Sequence, residues 1–176
     1  LMVGHLRAEK DPATFMAAAD ALAVRHDIVF DHVGAALEPV LGEQARALAA
    51  RHPGYRWFGA LPPGPTRARI QRAHVLVQAS RMEGGAHTVI EAVASGTPVL
   101  ASRIDGNLGL LGTDYAGVFE PGDAAGLARL IERCRDDPAM LPLLRRQCEL
   151  RAPLFHPSRE RATVLQLVAD LLETPS

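Results

Sequence analysis

Short runs of apolar residues alternate along the chain with longer segments in which apolar residues recur every three or four positions. The short runs are typical of buried strands, and the longer period is typical of amphipathic helices. Because the short runs are nearly all apolar rather than alternating, we expect a parallel sheet covered on both faces. The pattern predicts strands at residues 1–6, 28–34, 55–61, 75–79, 97–101 and 117–120.

Helices are predicted between these strands and after the last of them. Asp11 offers an N-cap side chain, Pro12 suits a first helical position, and Gly96 suits the position that follows a helix end. The proline-rich residues 62–65 are interpreted as a turn. The first predicted helix starts at Pro12, and the second has about a dozen residues and ends at Ala50. The others span residues 66–72, 87–95, 123–136, 138–151 and 158–173.

Strands joined by single helices predict an α/β fold with a doubly wound parallel sheet. Such sheets bind ligands beyond the carboxyl ends of their strands, where the direction of winding reverses. The segments that reach this crevice are predicted to be loops at residues 5–11, 59–65, 80–88 and 102–113.

Composition narrows the choice of partners and compartment. The formal charge is −1, which argues against a broad nucleic-acid surface, and Cys134 and Cys148 are predicted to be buried or half-buried thiols in helices. Reduced thiols favour a cytoplasmic protein. No stretch reaches the apolar length of a membrane span, and no charged-then-apolar leader precedes the first strand. Since the chain opens directly on a strand, we also expect it to be part of a longer protein.

Glu83 and Glu91 flank a glycine-bearing turn, and the second of them falls where a helical pattern begins. Free N–H groups at a helix start attract an anion such as a diphosphate, and carboxylates accept hydrogen bonds from sugar hydroxyls. A nucleotide-sugar carries both kinds of group. The seven histidines are scattered without ligand spacing, so neither a metal ion nor a cofactor is predicted.

The order of short motifs resembles retaining glycosyltransferases of family 4, which have the two-lobed GT-B fold. The resemblance covers about 130 residues and is specific as a set, although each motif alone is weak. It is carried by Gly4-His5-Leu6 with Lys10, Trp57-Phe58-Gly59, Glu83-Gly84-Gly85, Glu91-Ala92, Gly96-Thr97-Pro98-Val99 and Asp105-Gly106.

The resemblance implies that residues 1–176 are the C-terminal Rossmann-like lobe, which binds the nucleotide-sugar donor. The partners implied are the donor, a small-molecule or glycan acceptor, and the protein's own N-terminal lobe, which brings most of the acceptor site. The final predicted helix resembles the one that packs back against that lobe. We therefore expect donor binding but no turnover from this chain by itself.

Roles follow the motifs residue by residue. Glu91, placed in the first helical turn, would bind the ribose, and Glu83 would contact the transferred sugar. Lys10 would neutralise the diphosphate, and Arg7, on the strand face of His5 by alternation, would supply the guanidinium that the family carries at position 5; His5 either bonds a phosphate or fills space. Backbone groups would complete the site at Gly84, Gly85, Ala86, His87 and Thr88 for the sugar and diphosphate, at Ala60 and Leu61 for the base, expected to be uracil, and at Asp105 and Gly106 for the sugar.

Three alternatives share this fold. The segment from Gly4 to Pro12 resembles selenosugar and thiosugar synthases, which transfer the sugar of a UDP-sugar to selenium or sulfur and release UDP. A GT-B-type hexose epimerase would use the same crevice without an acceptor. A non-catalytic nucleotide-binding module could retain the sheet while losing the chemistry.

Overall fold

The computed structural model describes residues 1–173; the last three residues of the predicted domain, 174–176, lie outside the described residues. Within the described residues, six parallel strands form one sheet in the order β3-β2-β1-β4-β5-β6. The predicted doubly wound α/β fold is therefore confirmed. The strands are β1 (Met2–Val3), β2 (Phe30–Val33), β3 (Tyr55–Trp57), β4 (Leu76–Gln78), β5 (Val99–Ser102) and β6 (Val118–Phe119).

Helices connect the strands and close the described chain, with 3₁₀ turns at Ala8–Lys10 and Ala152–Phe155. Helix α1 packs against α2 and α6, while α4 packs against α3, α5 and α7. The helices are α1 (Pro12–Ala21), α2 (Pro39–Arg51), α3 (Pro63–Arg72), α4 (His87–Ala94), α5 (Asp105–Leu111), α6 (Ala124–Asp136), α7 (Met140–Arg151) and α8 (Pro157–Glu173).

Two predicted helix boundaries and one predicted loop need correction. Helix α3 begins at Pro63 rather than at residue 66, because prolines are tolerated in a first turn, where the helix requires no N–H from them. Residues 105–111 were predicted as loop but form α5, which its two glycines, Gly106 and Gly109, concealed. Helix α7 starts two residues later than predicted, at Met140.

Two strands, β1 and β3, end several residues earlier than predicted. β1 ends at Val3, and the chain beyond it keeps a single parallel bridge from Leu6 to Ala36. β3 ends at Trp57, because the chain turns at Gly59, whose φ is +65°. These early ends leave the residues that follow free to shape the crevice.

The core lies on both faces of the sheet and includes a buried aromatic cluster of Phe15, Phe30, His32 and Tyr55. His32 Nδ1 lies 2.8 Å from the Tyr55 hydroxyl, and burial lowers the pKa of His32 to about 4, so the ring is neutral. Cys134 and Cys148 are free and buried, as predicted. None of the described helices is both long and apolar enough to span a membrane.

Candidate functional site

The candidate site lies at the centre of the sheet, where β1 and β4 are neighbours and the direction of winding reverses. Lys10 follows β1 and Glu83 follows β4, so both lie at the carboxyl edge, where doubly wound sheets bind ligands. The Lys10 ammonium donates a hydrogen bond to Glu83 Oε1 within an ion pair. The structure therefore brings together two residues that are 73 positions apart in sequence.

The loops that carry this pair hold one another in place. The backbone N–H of Arg81 donates to the carbonyl of Glu9 at 2.9 Å, and Arg81 Nε donates to Asp11 Oδ2 at 3.1 Å. Asp11 is 3% exposed, adopts a left-handed φ of 46°, and caps α1 by accepting from the amide of Thr14. Because one buried carboxylate serves both loops, the positions of Lys10 and Glu83 are fixed relative to each other.

Glu83 is held through one oxygen atom. Gln78 Nε2 donates to Glu83 Oε1 at 2.9 Å and Ser80 Oγ donates to it at 2.8 Å, in addition to Lys10. We call these four residues, Lys10, Gln78, Ser80 and Glu83, the Glu83 network. Among the side chains that the structure describes, none donates a hydrogen bond to Oε2 of Glu83, so one oxygen is anchored and the other is available to a ligand.

These contacts set the protonation state of the carboxyl group. Burial by itself would raise the pKa of Glu83, but hydrogen bonds from Lys10 and Ser80 and the positive charges of Lys10 and Arg7 outweigh it and hold that pKa below the ordinary value of 4.5. The Glu83 side chain, although only 11% exposed, is therefore a carboxylate at neutral pH.

Helix α4 starts beside this network. The N–H groups of Val89 and Ile90 both donate to the carbonyl of Ala86, the N-cap residue, so the amides of His87 and Thr88 precede the helical hydrogen-bond ladder. The Thr88 hydroxyl donates to Gln78 Oε1 at 3.0 Å. Gln78 thus joins the Glu83 carboxylate to the first turn of α4.

Helix α5 supports the Glu83 loop from the other side. A Cβ atom on Gly106 would lie 2.0 Å from the carbonyl oxygen of Glu83, so only glycine fits there. Asn107 Nδ2 donates to the carbonyl of Ser102 at 2.9 Å, and the Ser102 hydroxyl donates to the carbonyl of Ser80. Asp105, which together with Gly106 was predicted to contact the sugar, is exposed at the start of the helix.

Glu91 lies outside the Glu83 network. It is the fifth residue of α4 and therefore lies in the second turn, so its predicted place in the first turn is wrong. Its carboxylate is 39% exposed and lies 3.5 Å from Nη2 of Arg67 on α3. The carboxylate is thus open to solvent and only loosely paired.

The prediction that Arg7 lies on the same strand face as His5 is wrong. β1 ends at Val3, and Arg7 immediately precedes the Ala8–Lys10 turn, so the predicted strand face does not exist there. His5 Nδ1 accepts a hydrogen bond of 3.0 Å from the amide of Ala35, in the segment after β2. Arg7 is exposed, with Nε 3.8 Å from Glu9, and its charge still helps to lower the pKa of Glu83.

The other predicted residues lie on segments at the same edge of the sheet. Gly84 and Gly85 are exposed, with open space where a Cβ would lie, and they lead into Ala86 and α4. Ala60 is exposed and Leu61 is half-buried in the turn between β3 and α3. Across the described part of the chain, no group of three His, Cys, Asp or Glu side chains is arranged to hold a metal ion.

Sequence reasoning missed Gln78 and Ser80, which complete the Glu83 network. The sequence does contain a signal for these two residues, which is a pair of polar side chains at the end of a buried strand. Gln78 ends an otherwise apolar buried strand and Ser80 follows two residues later. Buried polar side chains of this kind need hydrogen-bond partners, and here the partner is the carboxylate of the next loop.

The sheet order and the crevice define the chain as a Rossmann-like α/β domain. A model of the family "Glycosyl transferases group 1" matches residues 1–153, and the chain belongs to this family.

Solved structures of larger enzymes share the fold. A chain from a GtfA/B complex superposes with a TM-score of 0.82 at 20% identity, over 98% of this chain and 36% of that chain. The UDP-forming α,α-trehalose-phosphate synthase from Burkholderia xenovorans gives a TM-score of 0.79 at 17% identity, over 94% of this chain and 42% of that one. The pneumococcal O-GlcNAc transferase GtfA, crystallised with UDP and GlcNAc, gives a TM-score of 0.75 at 20% identity, over 98% of this chain and 35% of that chain. The chain thus spans from about a third to two fifths of the length of these three proteins.

Proposed function

We propose that the chain is the donor-binding half of a retaining glycosyltransferase that transfers a hexosyl group from a nucleotide-sugar to an acceptor. The observation that carries the proposal is the Lys10–Glu83 pair at the point where the winding of the sheet reverses. A cation for the diphosphate and a carboxylate with one unbonded oxygen for the sugar lie side by side there. A small-molecule or glycan acceptor would be bound mainly by a second, N-terminal lobe.

The donor would lie across the carboxyl edge of the sheet. Lys10 and the amides at the start of α4 would bind the diphosphate, because helix N-termini and cations both attract it. Glu83 Oε2 would accept from a hydroxyl of the hexose, and Glu91 would accept from the two ribose hydroxyls. The backbone at Ala60 and Leu61 would hold the base, and that at Gly84, Gly85 and residues 105–106 would complete the sugar pocket.

Charge stabilisation is the chemistry that this lobe would supply. Negative charge develops on the leaving diphosphate as the glycosidic bond breaks, and preorganised cations and amides stabilise such charge without rearrangement. Lys10, Arg7 and the α4 start would fill that role, with no metal ion or cofactor resident in the lobe. Two free buried cysteines favour a reducing compartment, and we propose the cytoplasm.

UDP is the proposed nucleotide. Two of the structures that share this fold are, by name, a UDP-forming synthase and a transferase bound to UDP. The base-binding turn of this chain would act through its backbone, so affinities for UDP-, GDP- and ADP-glucose measured side by side test the choice of base.

Calorimetric titration with UDP and UDP-glucose tests the assignment of Glu91. Charged hydrogen bonds contribute about 1.5–3 kcal/mol each, so Glu91→Ala, which removes the two proposed to the ribose, is expected to weaken both ligands by about 100-fold or more. Asp20→Asn is the matched control, because Asp20 is also a helix carboxylate in an exposed ion pair, with Arg51. Failure of the unaltered chain to bind any nucleotide would overturn the proposed function and favour a partner-binding module.

Identifying the acceptor requires product analysis with a protein that contains both lobes. A glycan or small-molecule hydroxyl acceptor is the expected one. Product formed only with selenophosphate or a thiol would instead identify a selenosugar or thiosugar synthase, and conversion of the donor without any acceptor would identify an epimerase.

A further inference from the structure

We infer that Gln78 is a positioning residue that presents the free oxygen of Glu83 to the donor sugar and couples it to the first turn of α4. The inference rests on the proposed function, because it assigns a role to a side chain that acts through Glu83. Gln78 would influence specificity without touching the donor, because it contacts Glu83 and Thr88, which are proposed to bind it.

Gln78 is built into the interior of the sheet. It is the last residue of β4, it is 3% exposed, and its amide is surrounded by the crevice loops rather than by water. A buried amide that lacked partners would cost about 1–3 kcal/mol, so its hydrogen bonds decide whether glutamine is tolerated at all. The three side-chain hydrogen bonds that it makes are all to residues of the site.

The orientation of the amide is determined by its neighbours. Nε2 donates to Ser80 Oγ at 2.9 Å and to Glu83 Oε1 at 2.9 Å, while Oε1 accepts from the hydroxyl of Thr88 at 3.0 Å. If the amide were turned over, its oxygen would face the Glu83 carboxylate. Because that arrangement places two acceptors against each other, a single orientation is favoured.

This geometry makes the two oxygens of Glu83 different. Lys10, Gln78 and Ser80 all donate to Oε1, so rotation of the carboxylate would break three hydrogen bonds at once. Within the described chain Oε2 keeps its capacity to accept. The network therefore acts as a clamp that aims one carboxylate oxygen at the place proposed for the hexose.

The same amide connects the site proposed for the diphosphate with the site proposed for the hexose. Thr88 is the second residue of α4, where amides are proposed to bind the diphosphate, and Glu83 is proposed to contact the hexose. A shift of either one changes its hydrogen bond to Gln78 and is felt by the other. Gln78 is thus expected to favour nucleotides that carry a sugar over the bare nucleoside diphosphate.

Gln78→Leu tests this role, because it removes the donors and the acceptor without adding a charge. We expect UDP-glucose to bind about tenfold more weakly, which is the effect of losing one charged hydrogen bond, while the affinity for UDP stays unchanged. Calorimetry with both ligands on the full 176-residue chain gives the ratio of the two affinities. Equal weakening of both ligands, or of neither, would overturn the inference.

The pH dependence of the same ratio separates positioning from a general loss of structure. Removing a donor to Glu83 makes its carboxylate easier to protonate, so the preference for UDP-glucose over UDP should disappear at a higher pH in Gln78→Leu than in the unaltered chain. An identical pH profile in the two proteins would count against the role.

Gln147→Leu is the matched control. Gln147 also uses its amide to join loops, accepting from the amide of Ala116 at 3.0 Å and donating to the carbonyl of Asp114 at 3.1 Å, but it lies on α7 away from the crevice. Its ratio of affinities should match that of the unaltered chain. Gln147 is half-buried, so a lowered ratio in this control would show that the loss of any loop-joining amide has the same effect, and the inference would fall.

If Gln78→Leu does not fold, Thr88→Val provides an independent test. This change removes the hydroxyl that donates to Gln78 and keeps the backbone amide, and we expect UDP-glucose to lose about threefold more affinity than UDP does. No loss for UDP-glucose would contradict the coupling. Absence of UDP binding by the unaltered chain would overturn the proposed function together with this inference.

Discussion

Glu83 and Glu91 are both assigned to the donor, yet their surroundings differ. Glu83 is 11% exposed and receives three hydrogen bonds on one oxygen, whereas Glu91 is 39% exposed and has one loose ion pair with Arg67. The proposed hexose end of the site is thus organised before any ligand arrives, and the proposed ribose end is open. We expect the ribose end to contribute affinity for every nucleotide and the hexose end to select the sugar.

Disturbing the hexose end alone should separate these two properties most strongly. Gly106→Ala would place a methyl group 2.0 Å from the carbonyl oxygen of Glu83, so the loop has to move. Overpacking of this kind costs about 1–3 kcal/mol, and we expect a loss of about 2 kcal/mol in the free energy of unfolding together with loss of the preference for UDP-glucose. Urea denaturation and calorimetry measure the two effects.

Gly109→Ala is the control in the same helix. A Cβ at Gly109 meets no atom within 4 Å, and alanine favours a helix more than glycine does, so this variant should be as stable as the unaltered chain or more so. If Gly106→Ala were equally harmless and kept its sugar preference, α5 would have no part in placing Glu83.

The fold was largely predictable because its signals are local. Apolar runs and helix caps such as Asp11 identify the strands and helices without knowledge of the tertiary structure. The missed helix α5 shows the limit, since Gly106 and Gly109 disfavour a helix locally and Gly106 is required by a contact with the Glu83 loop.

The candidate site was predictable as a set of residues but not as a network. Motifs selected Lys10 and Glu83 separately, and nothing local indicates that they neutralise each other. Arg7 was assigned by strand alternation, which failed because β1 ends at Val3. Gln78 was overlooked because its role depends on a loop that follows it.

Replacing the two carboxylates with amides should change UDP affinity in opposite directions. In the ligand-free chain the ammonium of Lys10 is paired with the carboxylate of Glu83. Because Glu83→Gln removes that carboxylate, the charge of Lys10 becomes available to the diphosphate. UDP should therefore bind about fivefold more tightly, or by about 1 kcal/mol. Glu91→Gln should weaken it, because a ribose contact loses its charge. Calorimetry with UDP alone measures both, and Glu120→Gln, which alters an exposed ion pair with Arg103, should change nothing. Weaker UDP binding by Glu83→Gln would show that the Lys10–Glu83 pair does not compete with the diphosphate.

The smallest expected effect is a dependence of stability on pH that belongs to Glu83. Because folding lowers the pKa of this carboxyl group from the ordinary value of 4.5, its contribution to stability is present above that value and is lost as the pH falls through the lower folded-state value. The difference in unfolding free energy between the unaltered chain and Glu83→Gln should therefore be constant from about pH 7 to about pH 5 and shrink below it. Urea denaturation of both proteins at each pH gives this difference, in which the other acidic groups cancel. A difference that stays constant down to about pH 3 would mean that Lys10, Gln78 and Ser80 hold a neutral acid and a carboxylate equally well, and the contrast between the closed and the open end of the site would lose its electrostatic basis.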